Sequence, residues 1–328
     1  MAHPVRRARA VPLDTAARRR HKLRNTVQSA ILLVGMVALL AACLALLFGP
    51  EGALWGIVGW AIALAVSPSV SPRMVLSLYQ ARRLYPDEFP DGFRILETLA
   101  RRAGLAQTPV LYYAPTSMVS AFTMGRRNDA AIVLTDGMLR TLNMRELAGV
   151  LAHELSHVRN NDLWVMNLAD SISRLTGLMA VAGLLLACVT LPLLLVGIVT
   201  VPLGLVLLLV AAPTVGSLMQ LALSRAREFD ADLDAAGLTG DPAGLASALE
   251  KLERFSAGFW ERMTMPGRRV PEPSLLRTHP HTWERVRRLM SLYGGEAPPP
   301  GDRSPVRLPG AISAVSRPPR WRASGLWY

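Results

Sequence analysis

A pentapeptide at residues 153–157, His-Glu-Leu-Ser-His, contains residue types that can hold a metal ion and transfer a proton. Residues four apart share one face of a helix, so the imidazoles of His153 and His157 would lie close enough for one metal ion to bridge them. Glu154 stands beside them, where a carboxylate can take a proton from a water molecule that a metal activates. The pattern therefore predicts metal-dependent hydrolysis, and the alternative is a pair of surface histidines on a helix.

The sequence around this motif favours a helix outside the most apolar parts of the chain. Leu147, Val150, Leu151 and Val158 give the segment one apolar face. Asn143, followed three residues later by Glu146, resembles a capping box that would begin the helix.

A catalytic zinc site needs a third protein ligand and an open fourth position. Only two cysteines occur, Cys43 and Cys188, each inside an apolar run, which excludes a disulfide framework and a cysteine-based metal site. Glu228 and Asp232 follow the last apolar run and are four apart, so both carboxylates lie on one helix face. This spacing suits a ligand at Glu228 and, at Asp232, a carboxylate that orients a ligand histidine. The alternative is a salt-bridge cluster at the membrane edge, formed with Arg225 and Arg227.

The composition indicates a membrane protein. Of 328 residues, 51% are hydrophobic and only 18% are charged, and the mean hydropathy is +0.28. These values exclude a disordered or fibrous chain and argue against an ordinary soluble enzyme. Charged residues are absent from 25–50, from 52–72 and from 175–224.

Because one membrane-spanning helix needs about 20 apolar residues, the first two gaps predict one span each, near 27–48 and 52–70. The third gap predicts a hairpin of two spans, near 175–195 and 200–221. A buried helix of a soluble core is the alternative for any one of these segments. The first span is too long for a secretory signal, so we expect an uncleaved anchor.

Charge distribution predicts the topology. The net charge is +12, with eight Arg and Lys in residues 1–24 and six Arg in 73–102, whereas the links between paired spans carry one Glu or no charge. Basic flanks remain in the cytoplasm, so both termini and both polar segments are expected there. Nucleic acid is not an expected partner, because the basic residues lie at membrane boundaries without interleaved aromatic residues.

The predicted fold class is a mainly α membrane protein. It has four transmembrane helices and a cytoplasmic α+β domain that a transmembrane hairpin splits. The His-Glu-x-x-His pattern is typical of zincin-like metallopeptidases, so this domain is expected to be one. Short extended runs at 109–114, 120–123 and 130–135 predict a small sheet. The chain is predicted to begin with a basic tail at 1–24 and two transmembrane helices at 25–72. The peptidase domain has its first part at 73–174 and its second part at 224–293, with the transmembrane hairpin at 175–223 between them. A Pro-, Gly- and Arg-rich tail at 294–328 is expected to be mostly disordered.

Four motifs in this order resemble the HtpX-type membrane zinc metallopeptidases, which are related to the CAAX prenyl proteases of the endoplasmic reticulum. They are SAFTMG with AAIVLTDGMLRTLN, then HELSHVRNND, then SRAREFDAD after an apolar hairpin, and then Thr-His-Pro at 278–280. The resemblance covers roughly residues 75–290.

This resemblance implies one Zn²⁺ per chain, held by His153, His157 and Glu228, with Glu154 as the general base. It also implies that the substrate peptide lies along the strand formed by Ser120, Ala121, Phe122 and Thr123, pairing through its backbone. Ser120 stands where the family commonly has Asn.

Three further residues are candidates for the surroundings of the site. His279 either stabilises the oxyanion of the tetrahedral intermediate or is a loop histidine that caps the helix after Pro280. Asn160 and Asp162 either support His157 or cap the end of its helix.

The resemblance implies a membrane-bound zinc endopeptidase of the cell's inner (plasma) membrane, with the lipid bilayer and misfolded or damaged membrane proteins as partners. An intramembrane protease is disfavoured because the motif lies outside the apolar spans. A prenyl-peptide processing protease and a non-catalytic, zinc-stabilised membrane scaffold remain alternatives.

Overall fold

The structure is a computed structural model that describes residues 15–66, 72–195, 197, 203–263 and 282–292. His279 and the tail at 294–328 lie outside these residues, as do residues 1–14 of the basic tail. The described part is mainly helical, with α1 (Thr15–Val66), α2 (Pro72–Leu78), α3 (Pro90–Ala103), α4 (Asp136–Thr141), α5 (Met144–Asn160), α6 (Asp162–Leu195), α7 (Leu203–Thr239), α8 (Pro242–Met263) and α9 (Thr282–Met290).

A small mixed sheet lies beside α5. Its strands are β1 (Arg82–Arg83), β2 (Val110–Ala114), β3 (Ala121–Met124) and β4 (Ala131–Thr135). Their spatial order is β1-β2-β4-β3, with β2 and β4 parallel and the other two pairs antiparallel, so β3 is an edge strand. Ile132 and Leu134 of β4 pack in the main core with α5, and Val133 points to the opposite face of the sheet.

Three helices of the described chain are long and apolar enough to cross a membrane, over Ala16–Ala65, Asp162–Val189 and Val206–Thr239. Many of their large apolar side chains are exposed, which suits a lipid environment. These exposed side chains include Ile31, Leu46, Trp55, Leu178, Val181, Leu185, Leu207 and Val210.

The helix α1 turns at Gly49, whose φ of 76° and ψ of 175° are not helical. A Cβ atom on Gly56 would lie 3.0 Å from the side chain of Leu44. On a straight helix, residues that far apart in sequence would be separated by about 18 Å along the axis. The two arms of α1 therefore fold back on each other, at the break predicted between the first two apolar segments.

One apolar cluster joins both arms of α1 to α6 and α7, and its buried members include Met36, Cys43, Ala53, Ala169 and Ala212. One residue separates α5 from α6: Asn161, which ends α5 in a left-handed conformation with φ 56°. The helix α7 continues from its apolar half through Glu228 without interruption. The predicted boundaries at 175 and 223 thus fall inside continuous helices rather than at their ends.

Candidate metal centre

The helix α5, which bears the His-Glu-x-x-His motif, is fixed at its N-terminus by the predicted capping box. The Asn143 side chain accepts a hydrogen bond from the Glu146 backbone N–H at 2.9 Å, and the Glu146 carboxylate accepts one from the Asn143 N–H at 2.9 Å. Ser247 and Lys251 of α8 also donate to this buried carboxylate, each at 2.7 Å. The start of α5 is therefore tied to α8.

A close approach between backbones fixes α5 further along. A Cβ atom on Gly149 would lie 2.9 Å from the backbone of Leu245 in α8. A larger residue would push the two helices apart at a point one turn before His153. The glycine therefore helps to set how far α5 lies from its neighbours.

Three side chains from α5 and α7 converge on one point. The Nε2 atoms of His153 and His157 lie 3.1 Å apart, and Glu228 Oε2 and Oε1 lie 3.4 and 3.7 Å from them, respectively. One ligand atom from each residue falls within 4.8 Å of the others. Tetrahedral zinc with ligands at about 2.0–2.2 Å has ligand atoms roughly 3.4 Å apart. The donor set and its spacing therefore fit a zinc ion.

The other ring nitrogen of each histidine meets a carboxylate. His157 Nδ1 lies 2.8 Å from Asp162 Oδ2, and His153 Nδ1 lies 3.1 Å from Asp232 Oδ1. Such contacts fix the tautomer and ring orientation of a ligand histidine and leave Nε2 free to face the metal. Arg227 in turn donates to Asp162 from α7 at 2.6 Å.

Asn160, one of the two candidate supports for His157, directs its side chain elsewhere. Its Nδ2 donates to Asp234 Oδ2 of α7 at 3.0 Å. Asp162 instead makes the contact with His157. Asn160 therefore joins the end of α5 to α7.

Glu154 lies next to the edge strand of the sheet. The Thr123 hydroxyl donates to Glu154 Oε2 at 2.6 Å. Ala121 shares this face of β3, whereas Phe122 points away and its ring packs 5.0 Å from that of Tyr79. Ser120, which was predicted to belong to the strand, precedes it, and its backbone bonds to Thr135. The predicted substrate strand and the predicted general base are thus in direct contact.

Arg285 of α9 is a residue of this site that the motif analysis missed. Its Nε and Nη2 donate to the two oxygens of Asp232 at 2.7 and 2.6 Å, and its Nη1 lies 3.2 Å from Glu228 Oε2. The guanidinium is buried and lies 3.4 Å from His153 Nε2. The sequence contains a signal that could have indicated a buried Arg285. This residue lies one helical turn before Leu289, on the face of α9 that packs inward.

The charges of the site favour a cation between the ligands. Burial opposes protonation of His153, but its hydrogen bonds to Asp232 and Glu228 outweigh that effect and raise its pKa to about 10. Burial also opposes protonation of His157, but the hydrogen bond to Asp162 opposes that effect and the pKa of His157 is raised. An excess of negative charge around buried imidazoles is an environment that a divalent metal ion would neutralise.

Comparisons with known proteins identify the family of this chain. The sequence profile of Peptidase family M48 matches residues 86–292. A protein named Protease HtpX homolog from Paraburkholderia phytofirmans is 33% identical over 274 residues, which cover 77% of this chain and 94% of the relative. One of the same name from Acaryochloris marina is 36% identical over 288 residues, covering 82% and 94%.

Among solved structures, the crystal structure of S. mikatae Ste24p aligns with a TM-score of 0.42 and 18% identity, covering 82% of this chain and 66% of that one. The profile match spans more than half of the chain, and both relatives are aligned over nearly their full length. The chain belongs to Peptidase family M48 and is a membrane-associated metalloprotease.

Proposed function

We propose that this protein is a zinc endopeptidase that hydrolyses peptide bonds beside the inner (plasma) membrane, on its cytoplasmic face. The observation that carries the proposal is the convergence of His153, His157 and Glu228 within 4.8 Å. Two imidazole nitrogens and one carboxylate oxygen are a ligand set of catalytic zinc sites, which retain an open position.

A Zn²⁺ ion bound by these residues supplies Lewis acidity toward a water molecule and the scissile carbonyl. Glu154 takes the proton of the attacking water and delivers it to the nitrogen of the leaving amine. Asp162 and Asp232 hold the two imidazoles in orientation through their Nδ1 atoms. For His279, the predicted roles of oxyanion donor and helix cap remain alternatives.

The substrates we propose are extended polypeptides that pair with β3. Thr135 N–H donates to the Ser120 carbonyl at 3.2 Å, so positions 120 and 135 form a hydrogen-bonded pair. Because such pairs alternate in an antiparallel ladder, the backbone groups of Ala121 and Thr123 point away from β4. A peptide added at that edge would be recognised through its backbone more than its side chains.

The position of the site suits damaged or misfolded membrane proteins as substrates. Only Asn161 separates α5 from α6, and Glu228 lies five residues beyond Leu223, a buried member of the apolar cluster. The centre is therefore within a few turns of the apolar helices. A polypeptide emerging from the bilayer would therefore pass close to the metal centre.

The two arms of α1 together with α6 and α7 make four membrane spans in this proposal, with both termini in the cytoplasm. The basic N-terminal flank supports this orientation. Lys22 lies 2.7 Å from Asp234, which supports placing the start of α1 at the same end of the apolar helices as the metal centre.

The test uses the full chain purified in detergent, with zinc counted by mass spectrometry and cleavage measured on an unfolded protein and on a prenylated peptide. We expect one zinc per chain, loss of cleavage on chelation, and recovery on adding Zn²⁺. A zinc-stabilised scaffold would bind zinc without cleaving either substrate. Cleavage confined to the prenylated peptide would indicate the processing enzyme.

A further inference from the structure

The hydroxyl of Thr123, a residue of β3, bonds to the carboxylate of the proposed general base. It lies 2.6 Å from Glu154 Oε2 and 3.5 Å from the backbone carbonyl of the same residue. One hydroxyl has a single proton to donate, and the shorter contact assigns it to the carboxylate. Both side chains are buried, so water does not compete readily for this bond.

The sheet fixes the position of Thr123 and therefore its contact with Glu154. The side chain shares the face of β3 on which Ala121 packs into the core with α5, while Phe122 and Met124 pack on the other face. β3 is held to β4 in register from Ala121 to Met124. The hydroxyl is therefore held by the sheet rather than by a mobile loop.

We propose that Thr123 is a positioning residue that holds Glu154 Oε2, so that Oε1 is the oxygen presented to the attacking water. This inference rests on the proposed role of Glu154. A carboxylate that can rotate about its terminal bond samples many orientations, and one fixed donor removes most of them. The proton of water then passes to Oε1 and on to the leaving nitrogen, while the Thr123 bond stays in place.

The arrangement also couples substrate pairing to catalysis. Thr123 presents its backbone groups to the open side of β3 and its side chain to Glu154. A peptide bound along that edge would thus be placed by the same residue that orients the base. Fixing both groups on one rigid strand keeps their spacing constant, which is the condition for effective proton transfer.

Thr123→Val tests this role, because it keeps a β-branched side chain of similar shape and removes only the hydroxyl. We expect kcat to fall about 10–100-fold, the range for losing one hydrogen bond to a charged group, with KM and zinc content close to wild type. Thr123→Ser keeps the donor and should recover most of the activity. Thr98→Val on α3, whose hydroxyl bonds to its own helix at Arg94, is the matched control.

A second readout does not depend on turnover. Affinity for a peptide hydroxamate, which binds metal and also contacts the base carboxylate, should weaken in Thr123→Val and be insensitive to this change when Glu154 is already Ala. Unchanged kcat in a folded, zinc-loaded Thr123→Val protein would overturn the proposal. So would a rise in KM alone, which would confine Thr123 to substrate pairing. Failure of the proposed function is distinct, because it would show as a wild-type protein that binds zinc and cleaves no peptide.

Discussion

Lys22 Nζ lies 2.7 Å from Asp234 Oδ2 and joins the basic start of α1 to the helix that bears Glu228. Asp234 is completely buried and also accepts a hydrogen bond from Asn160 at the end of α5. One carboxylate therefore connects α1, α5 and α7. Asp230, one turn earlier on the same face, is bonded by Asn25 of α1 at 2.8 Å.

We expect Lys22→Ala to destabilise the protein, because it removes the closest cation from a buried carboxylate. The cost should be about 1–3 kcal/mol, since Lys22 is partly exposed and Arg18 remains within 3.4 Å of Asp234. The measurement is thermal unfolding in detergent. Arg20→Ala, an exposed basic residue of the same turn, is the control, and equal unfolding temperatures for the two variants would contradict the expectation.

Glu154→Gln should keep zinc and fold but lose peptide cleavage. The amide has nearly the shape of the carboxylate and cannot take the proton from water. General-base roles of this kind contribute roughly 10²–10⁴-fold, so the rate should fall by that amount. Zinc content and the unfolding temperature show whether the variant is intact, and near-normal turnover in an intact variant would refute the enzymatic role of Glu154.

The sequence predicts the local part of the site and misses its long-range contacts. The spacing of His153 and His157 follows from helix geometry alone, and so does the pairing of Glu228 with Asp232. Asp230 and Asp234 are also four apart, but on the opposite face of α7, where they meet α1. No local pattern shows which partner a buried carboxylate has, because that partner is distant in the chain.

The membrane segments illustrate the same limit. The break in α1 is predictable because Gly49 and Pro50 interrupt an apolar run, and Gly49 adopts a positive φ. The polar ends of α6 and α7, at Asp162 and Thr239, were not predictable from charge, since both helices continue into polar sequence. Apolar composition marks the part of a helix that suits the bilayer, whereas the polar part of α7 packs against α1 and α5.

Glu228→Ala should abolish stoichiometric zinc binding, whereas Asp232→Ala should retain it. Glu228 lies 3.4 and 3.7 Å from the two Nε2 atoms, and Asp232 contacts Nδ1 of His153 instead. Loss of a carboxylate behind a ligand typically costs only about 10–100-fold in affinity or activity. Zinc content of both variants, purified identically, decides between them. A metal-free Asp232→Ala beside a zinc-loaded Glu228→Ala would reverse the assignment.

Arg285→Ala should destabilise the protein more without zinc than with it. In the zinc-free site, the guanidinium lies 3.2 Å from a carboxylate oxygen of Glu228 and 2.6 Å from one of Asp232. Removing one partner of a buried ion pair costs about 3–5 kcal/mol. Zinc brings its own positive charge to Glu228 and His153, so the loss of Arg285 should matter less once the metal is bound.

By linkage, zinc should raise the unfolding temperature of Arg285→Ala by more than it raises that of the wild type. Arg287→Ala is the control, because Arg287 lies on the exposed face of α9 over the ring of Trp283. Thermal unfolding of each protein, with chelator and with added Zn²⁺, measures the effect. If zinc shifts the unfolding temperatures of all three proteins equally, Arg285 does not compensate the charge of Glu228, and its bond to Asp232 would be a packing contact alone.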